Sequence, residues 1–392
     1  MSALPRIDEA LTRVLGRVVP LPVEDVPIAK AAGRVLAEPA SARTDLPPFD
    51  SSAMDGFAVR AADTPGRLTV VGQSAAGSPA ERELQAGEAI VISTGAVVPA
   101  GADAVVPVER TSGGVEVERV AVGDNVRPRG GDVRSGTVVV AAGAVLTPAR
   151  VGALAAAGVA TVRCGRRPRV TVLATGSELR PPGEPLAPGE IYESNTVLLA
   201  AQLASAGAEV TVLEPVGDDA AATRAALERG LESDVLVTSG GVSVGPHDLV
   251  RGALAGLGAE EVLWRVAVKP GKPVAFSVRG STLAFGLPGN PVSSLVDFEL
   301  FVRPALLALQ RASDPGPAFL PGRLGAPLRR NEHRDELVRA RTRVERDAVV
   351  LEPLRGQESH MIVRSAEASA LVLVPHGVGA VPEGAPVRYL RI

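Results

Sequence analysis

Four short segments gather the residue types that bind oxyanions and hard cations. Thr175-Gly176-Ser177-Glu178 follows the apolar run RVTVLA, which reads as a strand. Glycine there lets the backbone approach a ligand, the hydroxyls donate hydrogen bonds, and the Glu178 carboxylate can hold Mg²⁺ or act as a base. Ser239-Gly240-Gly241-Val242-Ser243-Val244-Gly245-Pro246-His247-Asp248 follows a second such run, DVLVTS. Its glycines and hydroxyls suit an amide-lined hollow for a phosphate, to which Asp248 can bring a metal. Lys269-Pro270-Gly271-Lys272-Pro273, with Arg265 just upstream, presents two ammonium groups on a stiff bend. These are point charges for phosphate or another oxyanion. Gly286-Leu287-Pro288-Gly289-Asn290-Pro291-Val292-Ser293-Ser294 opens a helix, with Asn290 at the N-cap, Pro291 at the first helical position and Ser293 in the first turn.

Three further polar stretches lie in a Val-rich region upstream: Pro47 to Gly56 with Asp50 and Asp55, Ser93-Thr94-Gly95-Ala96, and Gly130-Gly131-Asp132. By local rules they are hairpin turns. Gly241-x-Ser243-x-Gly245 also matches the nucleophile elbow of α/β-hydrolases. A hydrolase needs a downstream acid and a histidine, whereas His333, His360 and His376 fall in a separate β region, and Gly240 spoils the strand-to-serine connection. No Walker P-loop and no GxGxxG in a strand-turn-helix setting is present, which disfavours common NTPases and dinucleotide enzymes. The chemistry left is anion binding plus carboxylates, suited to phosphate-ester or oxyanion reactions with Mg²⁺.

The elements that must position these segments follow from periodicity. From Arg169 the chain alternates strand and helix: RVTVLA, SNTVLLAAQLASAG, AEVTVLEPV, DDAAATRAALERGL, DVLVTS, HDLVRGALAGLG. This predicts right-handed βαβ units and a parallel sheet covered on both faces, with ligands beyond the carboxyl ends of the strands. The runs VLWRVAV, PVAFSV and TLAFGL come close together and predict antiparallel additions, followed by a long helix from Pro291. Pro5 to Gly16 has Ile7, Ala10, Leu11, Val14 and Leu15 on one helical face. Leu46 to Gly130 reads as all-β, a helix starts near Pro148, RRPR at Arg166 to Arg169 reads as a linker, and Asp314 to Ile392 is strand and turn with one helical piece near His360 to Ala368.

Length and composition agree. At about 150 residues per domain, 392 residues make two or three domains, or four small ones. Hydrophobic residues are 46% and charged residues 22%, which excludes a long disordered chain. Aromatics are only 3% and the net charge is −3, so neither base stacking nor a basic field supports nucleic-acid or anionic-membrane binding. The single Cys164 excludes an intrachain disulfide and a thiolate zinc cluster, and four scattered histidines suggest no His-based metal site. The N-terminal stretch carries Asp8 and Glu9 with no apolar core of a leader, so the chain reads as cytoplasmic.

PPFDSSAMDGFAVR (47–60), STGAVVPAGADAVVPVE (93–109), TGSEL (175–179), SGGVSVGPHD (239–248), KPGKP (269–273) and GLPGNPVSS (286–294) resemble the signature of the molybdopterin molybdenumtransferases, the MoeA type and gephyrin E domain. The likeness spans essentially the whole chain in one order. It implies that adenylylated molybdopterin and molybdate are the substrates, that molybdenum cofactor and AMP are the products, and that Mg²⁺ is required. It further implies an elongated homodimer of four-domain subunits, with the α/β domain of one facing the β module of the other. The fold class expected is multidomain α/β plus β: a linking domain (1–45 and 131–168), an all-β module (46–130), a central doubly wound α/β domain of the molybdopterin-binding type (169–313) and a C-terminal β-barrel-like domain (314–392).

Residue by residue, the resemblance makes Glu178, Asp218 and Asp248 acidic site residues. Glu178 and Asp248 hold the metal, and Asp248 serves hydrolysis of the adenylyl bond. Gly240, Gly241, Ser243, Asn290, Pro291 and Ser293 bind the pterin phosphate or the nucleotide. Arg265, Lys269, Lys272 and Pro273 form the turn whose charges balance phosphates and molybdate. Asp55, Thr94 and Asp132 reach in from the partner subunit, and Arg339 of ELVRAR and Ser359 of GQESH align with molybdate positions. The chain departs from the family in Ser51 for Asn, Phe57 for Tyr and Arg265 for Lys, the last changing oxyanion geometry because a planar fork replaces a point charge. Other readings are a molybdopterin adenylyltransferase, which would consume ATP, and a non-catalytic dimeric scaffold. A molybdopterin adenylyltransferase and a receiving molybdoenzyme are the partner proteins the resemblance suggests.

Overall fold

A computed structural model describes residues 4–113, 116–242, 249–345 and 348–392. Among these, six strands form the central sheet in the order Glu209–Val212, Arg169–Ala174, Val235–Ser239, Thr282–Leu287, Ala275–Arg279, Glu260–Trp264. The first four are parallel. Every residue of Val235–Ser239 is buried, as a strand covered on both faces requires. Helices Asn195–Ser205, Ala220–Gly230 and Leu249–Gly256 belong to this domain.

The expectation that TLAFGL is an antiparallel addition is corrected. Thr282–Leu287 lies inside the sheet, parallel to Val235–Ser239, with Val235 opposite Leu283 and Ser239 opposite Leu287. Ala275–Arg279 alone runs against this set, and Glu260–Trp264, antiparallel to it, points the same way as the first four strands. The reason is the tight reversal at Gly280, φ +59°, which turns the antiparallel Ala275–Arg279 back into the direction of the parallel set. Thr282–Leu287 is also apolar enough to be buried on both faces, whereas Glu260–Trp264 exposes two glutamates and forms the edge.

The long helix from Pro291 is present with a defect. Pro291–Asp297 is α-helical, Phe298–Val302 widens to a π-turn, and Arg303–Leu309 is α-helical again. Pro304 follows the widened stretch, and proline has no N–H to return to the preceding turn. Phe298, Phe301, Val302 and Leu306 from this helix share one core with Phe276 and Phe285, whose ring centroids are 4.8 Å apart. The N-terminal helix Ile7–Leu15, grouped by sequence with the linking domain, sends Ala10 and Val14 into this same core.

Elsewhere, Thr69–Ser74, Glu88–Ile92, Gly56–Val59 and Ala104–Pro107 form a four-stranded sheet in the β module. Val23–Pro27 pairs with Thr161–Gly165 beside the helix Pro148–Ala156, whose N-cap Thr147 accepts from Arg150 N–H. In the C-terminal region, Asp335–Glu345, Ala348–Pro353, Leu320–Leu324, Pro386–Arg391 and Ala370–Val374 close into a five-stranded barrel, because Ala370–Val374 pairs back onto Asp335–Glu345. The helical piece expected near 360–368 is a 3₁₀ helix, Ile362–Glu367.

Asp297 is fully buried, and neither carboxylate oxygen has a partner among the described residues. Burial alone pushes its carboxyl well above the usual range. In the unfolded chain such a group ionises near ~3.9. Between that value and its raised folded value the native state holds a proton that the unfolded state lacks, so stability is full at acid pH and falls as pH rises. Asp297→Asn, which cannot ionise, should therefore gain in Tm relative to the parent between pH 5 and pH 8. A Tm difference that stays constant across that interval would show that Asp297 does not titrate there.

Candidate functional site

The four parallel strands end at Val212, Ala174, Ser239 and Leu287, and the loops leaving them carry Asp218, Thr175 to Glu178, Gly240-Gly241 and Pro288 to Asn290. Backbone hydrogen bonds stitch these loops together: Thr175 N–H donates to Ser239 O (2.9 Å), Gly240 N–H to Leu287 O (3.0 Å) and Gly176 N–H to Val216 O (2.9 Å). The approach is close enough to require glycine. Gly240 sits at φ +92°, and a Cβ there would lie 2.6 Å from Thr175 O. Gly241 sits at φ +67°, with Val250 Cγ2 at 2.7 Å and Thr175 Oγ1 at 3.0 Å from such a Cβ.

Between these loops lies a cavity of about 270 Å³, lined by Thr175, Glu178, Asn195, Ser239, Asn290, Pro291 and, from the C-terminal domain, His360 and Ile362. Asn195 Nδ2 donates to Ser239 Oγ (2.7 Å) and Gly289 O (2.8 Å), while its Oδ1 has no partner among the described residues. That oxygen is a buried acceptor without a donor among the described residues. Glu193, also in the wall, is committed to structure: its Oε1 accepts from Asn195 and Thr196 N–H at 2.8 and 2.9 Å, capping the helix. Asn290 stands at the N-cap of Pro291–Asp297, but its side chain makes no capping bond. The helix start is secured instead by Ser294, which donates its N–H to Asn290 O (3.1 Å) and its hydroxyl to Pro288 O (2.6 Å). The Asn290 carboxamide is left for the cavity. Ser293 is buried.

Glu178 and Asp218 occupy neighbouring loops. Asp218 N–H donates to Ser177 Oγ (2.9 Å), and the Glu178 carboxylate lies against Gly176, where a Cβ would meet Oε2 at 2.5 Å. Both carboxylates are exposed, and with the Thr175 and Ser177 hydroxyls the side chains of these two loops offer oxygen ligands, the type a hard cation takes. Among the described residues no group of three or more His, Cys, Asp or Glu converges as a metal site. Asp248 and Ser243 lie outside the described residues.

The lysine turn is held from several sides. Lys269 Nζ pairs with Glu336 Oε1 of the barrel at 2.9 Å, Lys272 is exposed with its carbonyl accepting from Val266 N–H (3.0 Å), and Pro273 closes the turn. Arg265, at φ +67°, stacks its guanidinium 4.0 Å from the Trp264 ring centroid, which Arg251 also contacts at 3.6 Å. Arg339 is wholly buried. It donates through Nη1 to Met361 O (2.5 Å) and Ser365 Oγ (3.0 Å), and through Nη2 to Gly356 O (2.6 Å) and Glu358 O (3.3 Å), and burial lowers its pKa. Ser359 offers its carbonyl to Val292 N–H at 3.1 Å. In the β module, Thr94 N–H donates to Asp55 Oδ1 (2.7 Å), while Asp132 N–H bonds Leu46 O (2.9 Å). None of Asp55, Thr94 and Asp132 lines the cavity within one chain.

Sequence reasoning singled out Ser239 with its glycine-rich loop but missed the polar wall residues Tyr192, Glu193, Ser194, Asn195 and His360. Asn195 reads as the start of an ordinary helix; its only signal is a polar residue at a helix terminus facing the loop edge. His360 has no local signal, because another domain brings it in. A larger groove of about 770 Å³ lies between helices Asn195–Ser205 and Arg303–Leu309 and the barrel. Its walls are mainly aliphatic and its Glu299–Arg303 pair is closed on itself at 2.6 Å, and it touches none of the strand-end loops.

Comparison with known proteins decides the family. Three family models match in succession: the MoeA N-terminal region (domain I and II) over residues 5–158, a probable molybdopterin binding domain over 171–308, and the MoeA C-terminal region (domain IV) over 321–392. Molybdopterin molybdenumtransferase 2 of Mycobacterium tuberculosis is 39% identical over 386 residues, 93% of each chain. The chain belongs to the MoeA family of molybdopterin molybdenumtransferases. It is thereby a transferase. A second MoeA-family relative, from Bacillus subtilis, is 34% identical over 402 residues, covering 98% of this chain and 94% of that protein. The crystal structure of the molybdopterin biosynthesis MoeA protein from Pyrococcus horikoshii matches 100% of this chain and 99% of its own, with TM-score 0.79 and 32% identity. No helix among the described residues is long and apolar enough to cross a membrane.

Gly240→Ala should cost about 1–3 kcal/mol in denaturant melts, the range for a residue forced into strained backbone, and should push Thr175 out of the cavity wall. Gly289→Ala is the internal control, since its Cβ would meet nothing nearer than 3.8 Å and no positive φ opposes it. Equal stability of the two variants would mean that the loops are not in the contact described.

Proposed function

We propose that the chain inserts molybdenum, taken from molybdate, into molybdopterin presented as its adenylyl ester, releasing AMP in a Mg²⁺-dependent reaction. The observation that carries this reading is the convergence of the strand-end loops on one polar cavity, whose wall includes Asn195, with a buried Oδ1 that lacks a donor among the described residues, and Asn290, whose side chain does not cap its helix, in a chain of this family. The Gly240-Gly241 backbone, with Ser243, Asn290, Pro291 and Ser293, receives the phosphate-linked part of the substrate. Lys269, Lys272 and Arg265 offset the charge of phosphates and molybdate, with Pro273 stiffening their turn and Ser359 on the molybdate side, where the buried Arg339 shapes the segment through its carbonyls rather than touching the ion. Glu178 and Asp248 would hold Mg²⁺, with Asp218 beside them; when bound, the ion supplies Lewis-acid stabilisation of charge developing on the phosphoanhydride. Asp248 serves cleavage of the adenylyl bond.

The reading includes a homodimer in which Asp55, Thr94 and Asp132 of one subunit approach the cavity of the other. Their position away from the cavity of their own chain, with Asp55 and Thr94 held together, supports that role. The setting is cytoplasmic, downstream of an adenylyltransferase and upstream of a molybdoenzyme.

Purified protein should release AMP from adenylylated molybdopterin only when molybdate and Mg²⁺ are both present, and without ATP. Asp248→Asn and Glu178→Gln should each lower that rate by about two orders of magnitude, matching the several kcal/mol that a metal supplies, while leaving the melting temperature nearly unchanged. Turnover retained by Asp248→Asn would remove it from the mechanism. A requirement for ATP would move the chain to the adenylyltransferase reading.

A further inference from the structure

The C-terminal barrel reaches the central cavity through one irregular segment, 354–361, and that segment has an unusual support. It contains no strand, and its backbone bonds are few, Leu354 N–H to Arg339 O (2.9 Å) and Met361 N–H to Glu358 O (3.1 Å) among them, so side chains carry much of its shape. Arg339, at 0% exposure, donates to the carbonyls of Gly356 and Glu358 before His360 and to Met361 O and Ser365 Oγ after it. Gln357 completes the frame, accepting from Arg339 N–H (3.0 Å) and donating to Arg339 O (2.9 Å) and Leu354 O (2.7 Å). Taking a guanidinium out of water to bond carbonyls rather than a carboxylate is expensive. The guanidinium bonds no barrel strand: its partners are at Gly356, Glu358, Met361 and Ser365.

The frame fixes His360. Its neighbour Ser359 is bolted to the central domain by the bond from Val292 N–H (3.1 Å), and His360 itself lines the cavity beside Asn290 and Pro291. Among the described residues lining that cavity, His360 is the one side chain able to carry positive charge; the other ionisable groups in the wall are the carboxylates Glu178 and Glu193 and the Tyr192 phenol. An anionic substrate entering such a wall needs a donor, and the imidazole N–H is placed to be it.

Resting on the transferase reading above, we propose that His360 contacts the phosphoryl oxygens of the adenylylated substrate, and that Arg339 is the positioning residue that holds His360 at the cavity mouth. His360→Ala then raises KM for adenylylated molybdopterin by about tenfold or more, the loss of one hydrogen bond to a charged group, with a smaller change in kcat. His360→Gln, which keeps an N–H donor, recovers part of it. The ring C–H signal of His360, assigned by its absence from His360→Ala, shifts in NMR spectra when AMP is added to the full-length protein. In Arg339→Met that AMP-dependent shift is lost although the other histidine signals stay put. If Arg339→Met does not fold, Gln357→Ala, which breaks the same frame, takes its place. An active wild type whose KM is unchanged in His360→Ala, or whose His360 signal ignores AMP, overturns this inference alone. A wild type that releases no AMP overturns the transferase reading and this inference with it.

Discussion

Gly240 and Gly241 pass so close to Thr175 that no side chain fits between the two loops. That contact is a direct consequence of parallel pairing. Arg169–Ala174 and Val235–Ser239 are adjacent and in register, Ala174 opposite Ser239, so their exits leave the sheet side by side about 4.8 Å apart. Thr282–Leu287 continues the same pairing and delivers Pro288 to Asn290 to the same edge. Without the glycines the loops would have to splay, and Thr175, Ser239 and Asn290 would no longer wall one cavity.

Buried polar groups mark where the fold departs from a plain apolar core. The Glu193 carboxylate accepts from Asn195 and Thr196 N–H, and Asn195 Nδ2 donates to Ser239 and Gly289, which leaves the Asn195 Oδ1 acceptor without a partner among the described residues. Arg339 bonds carbonyls of an irregular segment through both Nη atoms, while its Nε has no partner among the described residues. Asp297 differs: its carboxyl touches Gly271 beneath the lysine turn, at φ +108°, and has no polar partner among the described residues. A neutral acid is tolerable there; a carboxylate is not.

Three contacts make the central and C-terminal domains one working unit. Lys269 pairs with Glu336, Val268–Lys269 adds a short parallel strand beside Asp335–Glu336, and Val292 bonds Ser359. The N-terminus joins the same junction, since Arg6 Nη2 bonds His376 Nε2 at 2.5 Å, His376 Nδ1 bonds Asp335 Oδ1 at 2.8 Å, and Ala267 N–H bonds Pro5 O at 2.9 Å. The lysine turn is thus placed by the barrel as much as by its own prolines.

Local pieces were legible in the chain alone: the alternation of strands and helices after Arg169, the glycines at strand ends, Pro291 opening a helix, and six motifs in family order. These depend on periodicity and backbone allowance, which are short-range properties. Folding in three dimensions added that Thr282–Leu287 sits in the middle of the sheet, that the first helix packs on the central core, that the Asn290 side chain does not cap its helix, and that His360 enters a cavity built more than sixty residues earlier in the chain. Strand order and interdomain contacts are set by burial of apolar faces summed over distant segments, and by which buried polar groups find partners there. Neither quantity is written in any short window of residues.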